Sequence, residues 1–238
     1  MELIEKKDNL FVFSANLDET LANSIRRSAN RIPLIAVDEV EISKNDSSLY
    51  DETIAHRIGL IPLKADKSLK EDETKKLKLK SNKDGIVYSG EFKGDLEIVY
   101  KNMPITILNK GQEIELTAIA KLGRGCEHAK FSPGFMFHRQ GCEIILGKEL
   151  LKDLKEVFPN NEIKEKGDKI IVEDNKRKSV LDFAEGLAMK KNKKIEVKDK
   201  EDLIITIESF GQLTPQDIFK KSIEILKKDL KEIAKKID

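Results

Sequence analysis

Cys126-x-His128 and His138-x3-Cys142 place four side chains able to ligate zinc within 17 residues. Their spacing matches neither a finger nor a ribbon, and the first pair is tight for two ligands on one backbone turn. Ordinary buried or surface roles are therefore expected, and no metal site is assigned. The remaining histidine is His56, in Ala55-His56-Arg57. No Ser or Cys nucleophile pattern accompanies it, which favours a structural role over that of a general base. Gly123-Arg124-Gly125 has the outline of a phosphate loop but lacks the Lys-Ser/Thr and the longer glycine spacing of one. Its glycines more simply mark a tight loop after a strand. Arg26, Arg27 and Arg31 fall on a predicted helix and could meet phosphate or an acidic partner, although a solvated helix face is the commoner setting for such residues. No catalytic constellation emerges, and no catalytic residue or cofactor is assigned.

The composition agrees with a non-catalytic reading. With 238 residues the chain is long enough for one large domain or two small ones, each with a real core. Apolar residues make up 39% and charged residues 37%, too much apolar content for general disorder. Lys+Arg total 44 against 43 Asp+Glu, a formal net charge of +1. A chain that gripped nucleic acid alone would usually carry a clear basic excess, so proteins are the expected partners. Two cysteines cannot build a disulfide framework. The N-terminal MELIEKKDNL lacks the apolar run of a signal peptide, and no stretch reaches the roughly 18 apolar residues of a membrane span. The chain reads as soluble and cytoplasmic.

The elements that must position these residues are α+β in texture. Leu10–Phe13 reads as a strand, followed by a helix capped by Asp18 or Asn16 and stopped near Ile32 by Pro33. Leu21, Ile25 and Ala29 recur on it at four-residue spacing beside the small Ala22, Ser24 and Ser28, a face that lets another backbone come close. Ile35–Ile42 predicts a strand with a bulge. The charge-dense run 64–84 reads as a solvated loop. Short strands are expected at Ile86–Tyr88, Leu96–Tyr100, Ile105–Leu108 and Ile114–Ala120, the last pair joined as a hairpin at Asn109-Lys110-Gly111. Beyond Gly141 the pattern predicts a helix over 147–157, a hairpin over 162–172 turning at Lys166-Gly167-Asp168, a helix over 179–190 and a strand at Leu203–Ile207.

The C-terminal helix is the strongest local signal. Thr214 suits the cap, Pro215 the first helical position and Asp217 the capping-box position, with Leu213 and Ile218 spaced as a hydrophobic staple. Phe219, Ile223, Leu226, Leu230, Ile233 and Ile237 then recur at alternating four- and three-residue spacing, a heptad seam. Burying six such side chains is worth roughly 1.5–3 kcal/mol each before entropy is subtracted, and leaving them bare makes an aggregation-prone stripe. Ile218 and Ile225 widen the apolar face, which suggests one edge on the chain's own sheet and the other on a partner.

Four segments taken together carry a family resemblance: Leu21–Pro33 followed by Ile35–Ile42, Tyr50–Leu63 with its His56-Arg-Ile-Gly-Leu-Ile-Pro62 block, Gly123–Pro133, and Ile207–Ile218 leading into the heptad helix. In that order they resemble the D subunit of archaeal RNA polymerase, a family similar to the third-largest subunit of eukaryotic polymerase II and to the N-terminal domain of bacterial α. The resemblance implies an α+β fold with a discontinuous dimerisation domain, residues 1–45 and 200–238, and an inserted mostly-β domain over 46–199. A degenerate ferredoxin-like module would occupy 143–198. It implies a heterodimer with the smaller subunit L, made through Leu21, Ile25 and Ser28 of the first helix and Phe219, Ile223, Leu226, Leu230, Ile233 and Ile237 of the last. That dimer would form the platform for subunits N and P and then for the second-largest catalytic subunit, with DNA met only through the complex and no membrane partner.

Two departures stand out. Many members of that family hold iron–sulfur clusters through C-x2-C-x2-C-x3-C cysteines, yet the corresponding stretch, Ile163–Val197, contains none. The module is expected to fold without a cluster, its interior filled by Val180, Leu181, Phe183, Ala184 and Leu187. Phe131 also stands where the family usually has Trp. Two other readings remain distinct: a zinc-dependent module using Cys126, His128, His138 and Cys142, and a nucleic-acid binder using Arg26, Arg27, Arg31 and the Lys-rich run. The first predicts about one zinc per chain, the second partner-free binding with steep salt dependence. Elemental and acid-labile sulfide analysis of the purified chain is expected to find neither iron nor sulfide at stoichiometric levels, and finding both would refute the cluster-free module.

Overall fold

A computed structural model of the chain describes residues 1–64, 73–158, 163–174 and 179–237. The protein is mixed α/β with mostly sheet content. In chain order it runs β1 (Glu2–Lys6), β2 (Leu10–Ala15), α1 (Glu19–Ala29), β3 (Pro33–Asn45), α2 (Asp51–Gly59), β4 (Thr74–Ser81), β5 (Gly85–Tyr88) and β6 (Lys93–Gly94). It continues through β7 (Pro104–Leu108), β8 (Ile114–Arg124), β9 (Gly134–Gly147), α3 (Leu151–Val157), β10 (Ile163–Lys166), β11 (Lys169–Asp174), α4 (Ser179–Lys190), β12 (Glu196–Ser209) and α5 (Pro215–Ile237). Sheets run in the orders β1-β2-β12-β9-β11-β10, β3-β8-β4-β6 and β5-β7. The chain divides into two compact units, Met1–Asn23 with Met136–Thr206, and Ser24–Phe135 with Ile207–Asp238.

The first unit contains two hairpins. β1 pairs with β2, and β10 with β11, which turns at Gly167 in the left-handed region (φ 62°). β11 continues onto β9, from Lys169 opposite Gly147 to Asp174 opposite Cys142. Ile144, Leu146, Ile170 and Val172 from these strands pack with Leu150, Leu154, Val180, Ala184 and Ala188 in one apolar cluster. Of the side chains expected inside the 163–197 stretch, Val180 and Ala184 are buried, while Leu181, Phe183 and Leu187 are half-buried against the cluster. Phe183 meets Phe158 edge-on at 5.4 Å.

The second unit is organised by β8, which pairs with β3 along one side and β4 along the other. The register of β3 slips between Val37 and Glu39 and again between Ile42 and Lys44, so the bulge expected there is present. Each slip re-aims the strand, and the first places Asp38 where apolar alternation breaks off. α2 packs on β3, with Ile54 and Ile58 buried among Ile35, Val37, Leu77, Leu79, Leu116 and Ala118.

Several expectations are corrected. Residues 74–81 are not a solvated loop but the strand β4, because Leu77, Leu79 and Ser81 alternate with lysines and the alternate positions are buried. A period of two decides such a segment even when it is mostly charged; residues 65–72 of the run lie outside the described residues. Leu96–Tyr100 is not a strand. It makes one bridge, Ile98 to Leu63, flanked by Lys64 N–H to Glu97 O (2.9 Å) and Val99 N–H to Pro62 O (3.1 Å). The turn at Asn109–Gly111 exists, with Gly111 at φ 88°, but β7 pairs with β5 and β8 with β3 and β4. It therefore links two sheets and closes no hairpin. β1 and most of β9 carry no clear strand pattern in the sequence, because Glu and Lys interrupt the one and Gly, His and Arg the other.

β4 generates a test. Leu77 is 1% exposed, so Leu77→Ala should cost about 2–5 kcal/mol and lower the thermal midpoint by roughly 4–20 °C. Lys78→Ala, on the exposed alternate position, should change little. Equal, negligible effects in a thermal melt would return the segment to a loop.

Candidate interaction surfaces

The helix α5 begins as its sequence requires. Thr214 Oγ1 accepts from Asp217 N–H at 3.1 Å, and the Thr214 hydroxyl donates to Asp217 Oδ2 at 2.7 Å. Pro215 and Ile218 are buried, Leu213 is half-buried, and the buried Ser222 hydroxyl donates to Ile218 O at 2.7 Å. Past this turn the apolar seam emerges gradually. Phe219, Ile223 and Leu226 are half-buried, whereas Leu230, Ile233 and Ile237 are 57%, 55% and 80% exposed. Arg31 and Asp229 form an ion pair that ties α5 to the residues following α1, so this arginine is engaged within the chain.

On α1, Asp18 Oδ1 accepts from Thr20 N–H at 2.8 Å, which makes Asp18 the capping residue of the two considered. Hydrogen bonds from the Thr20 hydroxyl and then from the Thr20 N–H hold the Asp18 carboxyl below its ordinary pKa. Leu21 is exposed, whereas Ile25, Ser28 and Ala29 are buried within the chain; the Ser28 hydroxyl donates to Ser24 O at 2.8 Å. Of the seam residues named from the sequence, Leu21, Leu230, Ile233 and Ile237 thus stand bare, and Ile25 and Ser28 do not.

A second surface assembles from segments far apart in sequence. Leu60 and Pro62 following α2, Tyr100 and Met103, Lys130, and Phe210 following β12 line a cavity of about 360 Å³. Its walls are fixed by buried polar groups. Ser89, fully buried, donates its hydroxyl to Tyr100 O at 2.6 Å and accepts from Met103 N–H at 3.2 Å. The Ser209 hydroxyl donates to Leu213 O and accepts from Gly211 N–H at 2.9 Å. Gly211 sits at φ 95°, and a Cβ there would come within 2.9 Å of the Tyr100 hydroxyl and 2.7 Å of Val99, so only glycine fits. A smaller cavity of about 230 Å³ shares Leu60 and Lys130 and is lined also by Asp38, His56 and His128.

Lys130 links the two cavities. Its ammonium donates to Asp38 Oδ1 at 2.6 Å and lies 5.1 Å from the centroid of the Phe131 ring. Asp38 Oδ2 takes a second ammonium, that of Lys121, at 2.6 Å. The hydrogen bonds from Lys121 and then Lys130 hold the Asp38 carboxyl below the usual carboxylate range, outweighing its partial burial. Phe131 is packed so closely on Gly123 that a Cβ there would stand 2.5 Å from its ring. Glycine at 123 is therefore explained by ring packing, with no phosphate required.

The candidate metal ligands have other settings. His128 Nδ1 accepts from Lys130 N–H at 3.1 Å, capping the short 3₁₀ turn Ala129–Phe131. Cys126 is exposed, and Cys142 is buried in the apolar cluster of the first unit. Among the described residues no group of three or more His, Cys, Asp or Glu side chains is placed to hold a metal ion. Residues 143–198 carry no cysteine, so the donor set there does not fit an iron–sulfur cluster. Asp38 and Lys130 fall within the family segments Ile35–Ile42 and Gly123–Pro133, where the break that Asp38 makes in the apolar run Ile35-Ala-Val-Asp-Glu-Val is the local signal. Among the described residues no helix is long and apolar enough to cross a membrane.

Residues 40–136 match the family model described as the RNA polymerase Rpb3/RpoA insert domain. The chain is 33% identical to DNA-directed RNA polymerase subunit Rpo3 of Thermococcus kodakarensis, over 94% of this chain and 92% of the relative. It is 32% identical to subunit Rpo3 of Archaeoglobus fulgidus over 100% and 97% of the two chains, and 39% identical to that of Methanocaldococcus jannaschii over 55% and 69%.

The lysine-clamped carboxylate has a testable pH signature. Because its folded pKa is lowered, the stability it contributes is fully present above the unfolded carboxylate value of about 4 and is lost as pH falls through the folded value. Asp38→Asn should therefore lower the thermal midpoint at pH 7, and the gap to wild type should close in acid below about pH 4. A gap independent of pH would mean that the carboxylate charge is not what matters.

Proposed function

The chain belongs to the DNA-directed RNA polymerase subunit Rpo3 family, the archaeal D subunits, and on that basis we propose that it is a non-catalytic assembly subunit of the transcribing enzyme. In this reading it pairs with subunit L through the first and last helices, and the heterodimer is the platform for subunits N and P and the second-largest subunit. Residues 1–45 and 200–238 form the discontinuous dimerisation domain, and 46–199 the insert with a cluster-free ferredoxin-like module over 143–198.

The observation that carries this reading is the bare end of the α5 seam. Leu230, Ile233 and Ile237 are each more than half exposed on consecutive turns of one helix. Their burial against a partner is worth roughly 1.5–3 kcal/mol each, while exposure in a free chain invites aggregation. Phe219, Ile223 and Leu226 contribute the half-covered start of the stripe, Leu21 a bare contact on α1, and Ile25 and Ser28 shape α1 from beneath.

Light scattering of the chain alone and co-expressed with subunit L tests the proposal. A soluble one-to-one complex is expected, with the lone chain aggregating or self-associating. Leu230→Glu should weaken pairing at least about a hundredfold, since an unpaired charge in an apolar contact costs several kcal/mol, while Lys228→Glu on the exposed flank should not. A well-behaved monomer that ignores subunit L would overturn the reading.

A further inference from the structure

The two edges of the α5 stripe differ. A residue that directly precedes a seam residue falls on one edge, and a residue that directly follows one falls on the other. The preceding edge leans on the chain itself: Ile218 and Ser222 are buried, Ile225 is half-buried, and Asp229 pairs with Arg31. The following edge carries Lys220, Lys227 and Lys231, all exposed, with Glu224 as its one acidic residue among those described. The ion pairs of α5 are Arg31–Asp229 and, at 3.9 Å, Lys228–Glu232; among the described residues the three lysines enter none. Several exposed lysines elsewhere are answered within the chain, Lys44 and Lys80 by Glu113 and Lys121 by Asp38. Helix physics does not account for the difference. The dipole favours cations only in the last turn, where Lys235 and Lys236 sit, and Lys227 and Lys231, one turn apart, repel each other.

We propose that this lysine edge selects an acidic partner: the helix that covers the α5 seam presents Asp or Glu side chains to Lys220, Lys227 and Lys231. The inference rests on the assembly reading for the identity of that partner, subunit L, and supplies the chemistry by which the seam tells it from other apolar helices. An apolar stripe alone is indiscriminate, and the residues beside such a seam are what set partner and orientation. A second copy of this chain is the nearest competitor, since its seam is apolar too. In an isologous pair the same patch meets itself. Here that brings one lysine edge against another, because the preceding edge is occupied by its own chain. Like charges so placed disfavour the copy, while opposite charges speed capture of the acidic partner.

Dilution of the purified heterodimer of the full-length chain with subunit L, followed by energy transfer between labelled subunits, gives Kd at each salt concentration. Lys227→Glu combined with Lys231→Glu should raise Kd about tenfold at low salt. The gap should close near ~1 M salt, where the Debye length is about 3 Å. Lys228→Glu combined with Lys235→Glu makes the same change of net charge on the same helix, away from the seam, and should stay within about twofold of wild type. A carbodiimide, which joins an amine only to a carboxylate in contact with it, gives a second reading on the wild-type heterodimer. It should link Lys220, Lys227 or Lys231 to Asp or Glu of subunit L. Equal Kd values for the two double variants at low salt, or no link from these lysines to subunit L, would overturn the lysine edge while leaving the heterodimer in place. A wild-type chain that does not bind subunit L would overturn the assembly reading, and the partner assigned to the edge with it.

Discussion

The apolar stripe on α5 is longer than the surface this chain offers to cover it. Its start is capped and seated, with Pro215, Ile218 and Ser222 buried, but Leu230, Ile233 and Ile237, about three to five turns beyond Ile218, are bare. Water exacts a cost for every exposed apolar face, and the stripe is too regular to be incidental surface. Much about the molecule is consistent with this one constraint: the Arg31–Asp229 pair that anchors the helix, and the lysines and glutamates that flank the seam.

The convergence of 60–62, 100–103, 129–130 and 209–212 has a different logic. These segments contain few regular elements, and their positions are dictated by buried polar bonds. Ser89 holds the Tyr100–Met103 stretch, Ser209 and Gly211 hold the turn into α5, and Asp38 holds Lys130. Polar groups are used here because loops cannot satisfy their backbones internally, and the same bonds fix the walls of the cavity. The seam by contrast needs no such precision, since an apolar stripe tolerates adjustment along its length.

The 163–197 stretch illustrates how apolar packing holds a small module together. Without cysteines it has no thiolates to offer a cluster, and its helix α4 packs Val180, Ala184 and Ala188 on β9 and β11 residues. Small residues at four-residue spacing let helix and sheet approach closely, and dispersion between close-packed side chains then supplies the cohesion.

Local physics in the sequence determined the caps, the bulge in β3, the helices α1, α3, α4 and α5, the β10–β11 turn and the family blocks, because each depends on residues within a few positions of one another. Charge density misled at β4, where two buried leucines outweighed four lysines and a period of two prevailed. Hairpin chemistry at Asn109–Gly111 correctly marked a turn but not which strands it would pair, since pairing depends on partners dozens of residues away. The seam was legible as a pattern, yet which of its residues are bare was not: Ile25 looks equivalent to Leu21 in a four-residue repeat, and only packing separates them. That Asp38 and Lys130 meet was decided by tertiary structure alone, because only long-range packing brings together residues 92 positions apart.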